Sequence, residues 1–223
     1  MVEISFYLLS IVALSMLLIL FRRTMAPSGH MKKFLVVPIW LIYIVVLEQT
    51  GLLLDFSLPP RIPLLVVMPA IIIILILVNG QSNQTALLDV PIFFPVALQS
   101  FRVLVEILIY ATYKQGVYPE LATFKGLNFD ILVGLSAIVV AFAIFKNKIG
   151  YRGILIWNIV SMCVLLVTVY SFIYSYYFTD FSTSDKGYQF VELPYLLLPA
   201  VLLPVAIFLH VFSIKQVLFK WYS

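Results

Sequence analysis

The sequence predicts an all-α polytopic membrane protein of seven transmembrane helices, N-terminus out and C-terminus in. Three observations carry this reading. The 223 residues are 63% hydrophobic and only 11% charged, whereas a soluble domain is nearer one quarter charged. The apolar residues come in blocks of roughly twenty, the length that crosses about 30 Å of hydrocarbon at 1.5 Å per residue. The lysines and arginines, finally, are divided unequally between the loops on the two sides.

The first block, residues 4–20, ends at Arg22-Arg23. Positive charge follows its apolar core instead of preceding it, so it reads as a retained helix and not a signal peptide. A basic loop with Arg22, Arg23, His30, Lys32 and Lys33 leads to a second helix over 34–54, and Pro59-Pro60-Arg61 forms a turn. The third helix covers 62–78 and contains the β-branched run Ile71-Ile72-Ile73-Ile74, which at this length reads as a lipid-facing helix. A polar loop follows, where Asn83-Gln84-Thr85 matches a glycosylation acceptor but falls on the cytoplasmic side. Helices four (92–113), five (128–145) and six (153–178) come next. Helix six carries an aromatic-rich end suited to an interface. The seventh helix, 193–213, holds Pro194, Pro199 and Pro204, tolerable in a bundle where neighbours satisfy the freed carbonyls. The whole chain forms a single bundle, with no soluble domain between helices.

Arg22, Arg23, Lys32, Lys33, Lys146, Lys148, Arg152, Lys215 and Lys220 fall on one side. Arg61, Lys114, Lys125 and Lys186 fall on the other, which places the richer side in the cytoplasm. The net charge of +4 is thereby a topology signal, and nucleic acid is not expected as a partner. Cys163, the single cysteine, excludes an internal disulfide and reads as a small core residue.

The anomaly is in helix four. Gln99, Arg102, Glu106, Tyr110 and Tyr113 recur at three- and four-residue spacing and share one helix face. A charge at bilayer depth costs several kcal/mol, so this face must meet protein or water. Glu48, with Gly51 and Asp55 on its face, and Asn128 and Asp130 are expected at the same depth in the outer half. Arg102 and Glu106 can form an intrahelical pair that acts as packing glue. Alternatively Arg102 anchors an anionic group while Glu48 or Glu106 exchanges protons. A carboxylate at a helix start favours the N-terminal dipole, so Asp130 reads as an anchor of helix five.

Asn158, Ser161, Thr168 and Ser175 on helix six, and Gly134, Ala137 and Ala141 on helix five, read as packing stripes. His210 reads as a structural histidine near the cytoplasmic edge. Neither a metal site nor a cofactor is expected, because no HxxxH, HxH or HxxE pairing occurs, and GxSxG, P-loop and dinucleotide motifs are missing. A Schiff-base pigment is disfavoured because Lys215 and Lys220 lie at the end of helix seven.

The segment Gln99-Ser-Phe-Arg-Val-Leu-Val-Glu106, followed by Thr123-Phe-Lys-Gly-Leu-Asn-Phe-Asp-Ile-Leu-Val-Gly134, resembles a family of small bacterial (Bacteroidetes-type) inner-membrane proteins. The resemblance implies a multi-pass inner-membrane location and no particular activity. It draws attention to Arg102, Glu106, Asn128 and Asp130.

Three functions stand in order. The first is binding or transport of a small solute, anionic or proton-coupled, through an outward-facing polar cavity. Its residues would be Arg102, Glu106, Glu48, Gln99, Asp130, Asn128 and Tyr110. The second is a structural or assembly subunit without a ligand, acting as an oligomer or with a partner. The third is an intramembrane enzyme on a lipid, last because no nucleophile or metal set is visible; a long apolar tunnel beside the acids would favour it.

Overall fold

A computed structural model describes residues 1–24, 35–79, 87 and 89–222. The expected basic loop around His30, Lys32 and Lys33 and the Asn83 motif lie outside the described residues. Within them the chain is helical, with no strand. The helices are α1 (Val2–Thr24), α2 (Val36–Gln49), and α3, which opens with a π turn (Pro63–Val67) and continues as Met68–Asn79. α4 joins Phe93–Leu98, a 3₁₀ turn Gln99–Phe101 and Arg102–Lys114. α5 is Asp130–Phe145 and α6 is Tyr151–Tyr177. α7 opens with a second π turn (Leu198–Leu202) and runs on as Leu203–Tyr222.

Four of these, α1, α4, α6 and α7, are long and apolar enough to cross a membrane; α2, α3 and α5 are shorter apolar helices. At 1.5 Å per residue the 14 residues of α2 span only about 21 Å, and the 16 of α5 about 24 Å, against roughly 30 Å of hydrocarbon. Helix two stops early because Thr50 caps it and Gly51 adopts a left-handed conformation, φ 69°, which glycine enters without a Cβ penalty. Helix seven is shifted the other way. Residues 187–191 form a 3₁₀ turn that buries Gly187, Phe190 and Val191, helix starts only with the π turn at Leu198, and it continues nine residues beyond the expected end at 213.

Polarity is inverted relative to a soluble protein. Leu104, Ile138, Val139, Phe142 and Leu166 are among the exposed side chains, while Arg102, Glu106, Asp130 and His210 are buried. Cys163 is exposed, contrary to expectation, because it faces away from the stripe of α6 that packs inward. That stripe, Asn158, Ser161, Thr168 and Ser175, is buried. Of the Ile71–Ile74 run only Ile74 is buried.

The prolines explain how α2 is attached. Proline has no N–H, so it cannot close the bond to the carbonyl four residues earlier. Pro69 therefore leaves Leu65 O free, and the Tyr43 hydroxyl donates to it at 2.8 Å. Pro204 leaves Ala200 O free, and Trp40 Nε1 donates to it at 2.8 Å. Trp40 and Tyr43 lie one turn apart on α2 with ring centroids 5.3 Å apart. One short helix thus satisfies the carbonyls released by prolines in two others, within their π turns.

Candidate functional site

The site forms where α4, α5, α6 and α7 meet. A glycine sets the closest approach. A Cβ on Gly134 would stand 2.8 Å from Val103 N and 2.8 Å from Val103 Cγ2, nearer than packed atoms allow. Only a residue without a side chain lets α5 lie directly on the backbone of α4. One turn before Gly134 on the same face is Asp130, which this contact delivers to Arg102.

The Arg102–Asp130 pair is fully buried, with relative exposures of 1% and 3%. Arg102 Nε donates to Asp130 Oδ2 at 2.6 Å and Nη2 donates to Asp130 Oδ1. This is the bidentate geometry in which a guanidinium best matches a carboxylate. The structure therefore corrects one expectation. Arg102 pairs across helices with Asp130, and no ion pair to Glu106 occurs among the described residues. Asp130 stands in the first turn of α5 as expected, while Asn128 Oδ1 accepts from its N–H at 3.0 Å.

The remaining Arg102 contact fixes a chain of hydrogen bonds. Nη1 lies 3.0 Å from His210 Nε2. Arginine can only donate, so Nε2 must carry the lone pair and the ring is neutral with its hydrogen on Nδ1. That hydrogen points to Asn158 Oδ1 at 2.9 Å. Asn158 Nδ2 in turn donates to Ser213 Oγ at 3.0 Å and to Ile154 O at 2.9 Å. Every direction in the chain is consistent with the next, which assigns the tautomer from geometry.

A second branch starts at Glu106, also buried at 1% exposure. Asn128 Nδ2 donates to Glu106 Oε1 at 2.9 Å and to Ala122 O at 2.9 Å. Asn128 Oδ1 accepts from the Thr168 hydroxyl at 2.8 Å as well as from Asp130 N. Asn128 thus ties the loop after α4 to α5 and α6. Gln99 clasps α4 to α7 by donating to Ala206 O at 3.0 Å.

Beside these groups is a cleft with an empty volume of about 720 Å³, the open space at its mouth included. Arg102, Glu106, Asp130 and Thr168 edge it at one end, and its walls are apolar, including Phe101, Leu165, Phe172 and Phe190. Both π turns border it, through Pro63 and Val67 of α3 and Leu198, Pro199 and Leu202 of α7. π turns concentrate at functional sites because they widen the helix and re-aim its side chains.

Of the expected site residues, the fold brings together Arg102, Glu106, Asp130 and Asn128, with Gln99 adjacent. Glu48 is not part of the cluster. It is half-buried near the end of α2, where Gln49 Nε2 donates to it at 2.6 Å. Tyr110 has rotated out of the buried face, packing on Phe124 with ring centroids 4.7 Å apart and lying under Lys125 Nζ at 5.4 Å. Asp55 stays in its loop, paired with Arg61 and accepting from Ser57 N at 2.8 Å. Hydrogen bonds from Ser57, then the charge of Arg61, hold its carboxyl below the ordinary value. His210, Asn158, Thr168 and Ser213 complete the network. His210, expected at the edge of a helix over 193–213, lies mid-helix in Leu198–Tyr222, level with Arg102. Among the described residues no group of three histidine, cysteine or acidic side chains could hold a metal.

In comparison with known proteins, no family model, no curated protein and no solved structure matches the chain.

Proposed function

We propose that this is a multi-pass membrane protein, N-terminus out and C-terminus in, that binds a small amphiphilic molecule within its bundle. The single observation behind this reading is the cleft itself: apolar walls over a floor at Arg102, Glu106, Asp130 and Thr168, whose polar atoms are almost wholly covered. A small polar solute would leave those walls wetted, whereas a hydrocarbon chain removes them from water at about 25 cal/mol per Å². In the proposed orientation the start of α3, the end of α6 and the start of α7 face outward, so the cleft lies in the outer half. The resemblance noted for Gln99–Glu106 and Thr123–Gly134 supports a bacterial inner-membrane location.

The test is thermal unfolding of the protein in lipid nanodiscs with dodecanol and with a panel of water-soluble metabolites. Dodecanol is expected to raise the unfolding temperature, and Val169→Phe, which fills the cleft wall, is expected to abolish that rise. Stabilisation by metabolites alone would return the reading to polar solute transport. A second reading, a ligand-free assembly subunit, has its own support in Arg102, whose Nε, Nη1 and Nη2 are all engaged by protein. Stabilisation by neither class would favour it.

A further inference from the structure

Glu106 is a group that the protein's own hydrogen bonding leaves incomplete. Oε1 is engaged by Asn128, while Oε2 is buried and has no hydrogen-bond partner among the described residues. Leaving a buried acceptor unpaired is costly, and such groups ordinarily find a partner. The neighbours do not supply one. Arg102 faces Asp130 and His210, the Asn128 amide is divided between Glu106 Oε1 and Ala122 O, and the Thr168 hydroxyl donates to Asn128 Oδ1. Glu106 does line the cleft with Oε2 itself covered, so a ligand meets that oxygen once the side chain turns into the space.

Resting on the reading of that cleft as an amphiphile site, we infer that Glu106 Oε2 recognises the polar end of the ligand, and that this end is a hydrogen-bond donor, a hydroxyl or an amine. An anionic head is the wrong chemistry here. The charge of Arg102 is already matched by the bidentate Asp130, so a carboxylate or phosphate would meet two acids and no free cation at the floor. The donor assignment is for the carboxylate of Glu106, with which the floor carries one net negative charge and suits an ammonium or a donating hydroxyl; a protonated Oε2 would itself donate and select an acceptor. The chain of the ligand then runs along α6 from Thr168 towards Phe172 and Tyr177, nine residues or about 14 Å of helix, which accommodates a decyl to dodecyl tail.

The experiment measures displacement of tritiated dodecanol from wild-type protein in phosphatidylcholine nanodiscs, with uptake by empty nanodiscs subtracted. The competitors are dodecylamine, methyl laurate and laurate. Dodecanol and dodecylamine should bind at least about tenfold tighter than methyl laurate, which offers acceptors only, the step expected for one well-made hydrogen bond. Glu106→Gln keeps an oxygen for Asn128 and places an N–H donor where Oε2 was. Its preference should invert, methyl laurate binding tighter than dodecylamine, whose ammonium offers donors only, an outcome misfolding cannot produce. Equal affinities across the wild-type series, laurate binding tightest, or an unchanged order in Glu106→Gln would overturn the headgroup assignment while the cleft reading stands. If no chain of any kind binds, the cleft reading fails and this inference with it. The wild-type series decides alone should the variant not fold.

Discussion

Asp130→Ala isolates the buried ion pair, because the backbone N–H of residue 130 keeps its bond to Asn128 Oδ1 while the carboxylate disappears. What remains is a guanidinium at 1% exposure held only by His210 Nε2. Removing one partner of a buried pair typically costs about 3–5 kcal/mol, chiefly through the charge left behind. Arg102→Met should cost more. It strands Asp130 and also orphans the His210 lone pair, adding about 1–3 kcal/mol. The double variant Arg102→Met/Asp130→Ala removes both charges and leaves the orphaned histidine and a small gap, so its deficit should shrink to about 1–3 kcal/mol. The two sites should therefore couple by several kcal/mol, measurable by a double-mutant cycle of SDS-induced unfolding in bicelles. Single variants within about 1 kcal/mol of wild type, or a double variant equal to the sum of the singles, would refute the pair as a structural element.

Further outcomes follow from the same contacts. Gly134→Ala places a methyl 2.8 Å from Val103 N, so it should push α5 off α4 and cost about 1–3 kcal/mol in the same unfolding assay. Trp40→Phe and Tyr43→Phe each abandon a carbonyl already released by proline; each should cost about 1–2 kcal/mol, and a neutral result would mean another donor replaces them. For Asp55, whose folded-state value lies below the usual carboxylate value, the turn's contribution is fully present above the unfolded value near pH 4. It is lost as pH falls through the folded value. A carboxyl NMR titration should give a midpoint below that of the unfolded chain, and Ser57→Ala should raise it. On a Cys163→Ser background, a cysteine at Lys114 should react with an impermeant maleimide in intact cells and one at Lys148 should not; the reverse pattern would invert the proposed orientation.

The helical class was determined locally. Long apolar blocks read as helices, and the three- and four-residue spacing of Gln99, Arg102 and Glu106 already demanded a protein-facing side of α4. The small-residue face of α5 and the hydroxyl stripe of α6 were legible for the same reason: both are periodicities within one helix. Partner choice was not, because nothing in a single helix says which neighbour it touches. Glu48 and Asp130 are both acids expected at one depth, yet only Asp130 precedes a glycine that lets its helix lie on the α4 backbone. His210 reads as an edge histidine because the sequence ends helix seven nine residues earlier than the fold does, and that position hides its match to Arg102. That the cavity has apolar walls depended on which faces five helices turn towards one another, a property of packing across the chain. Sequence determined that a charged stripe must be buried in an apolar bundle; only the tertiary structure decided that Arg102 is satisfied by Asp130 and His210, and that Glu106 is the acid left with an unpaired oxygen.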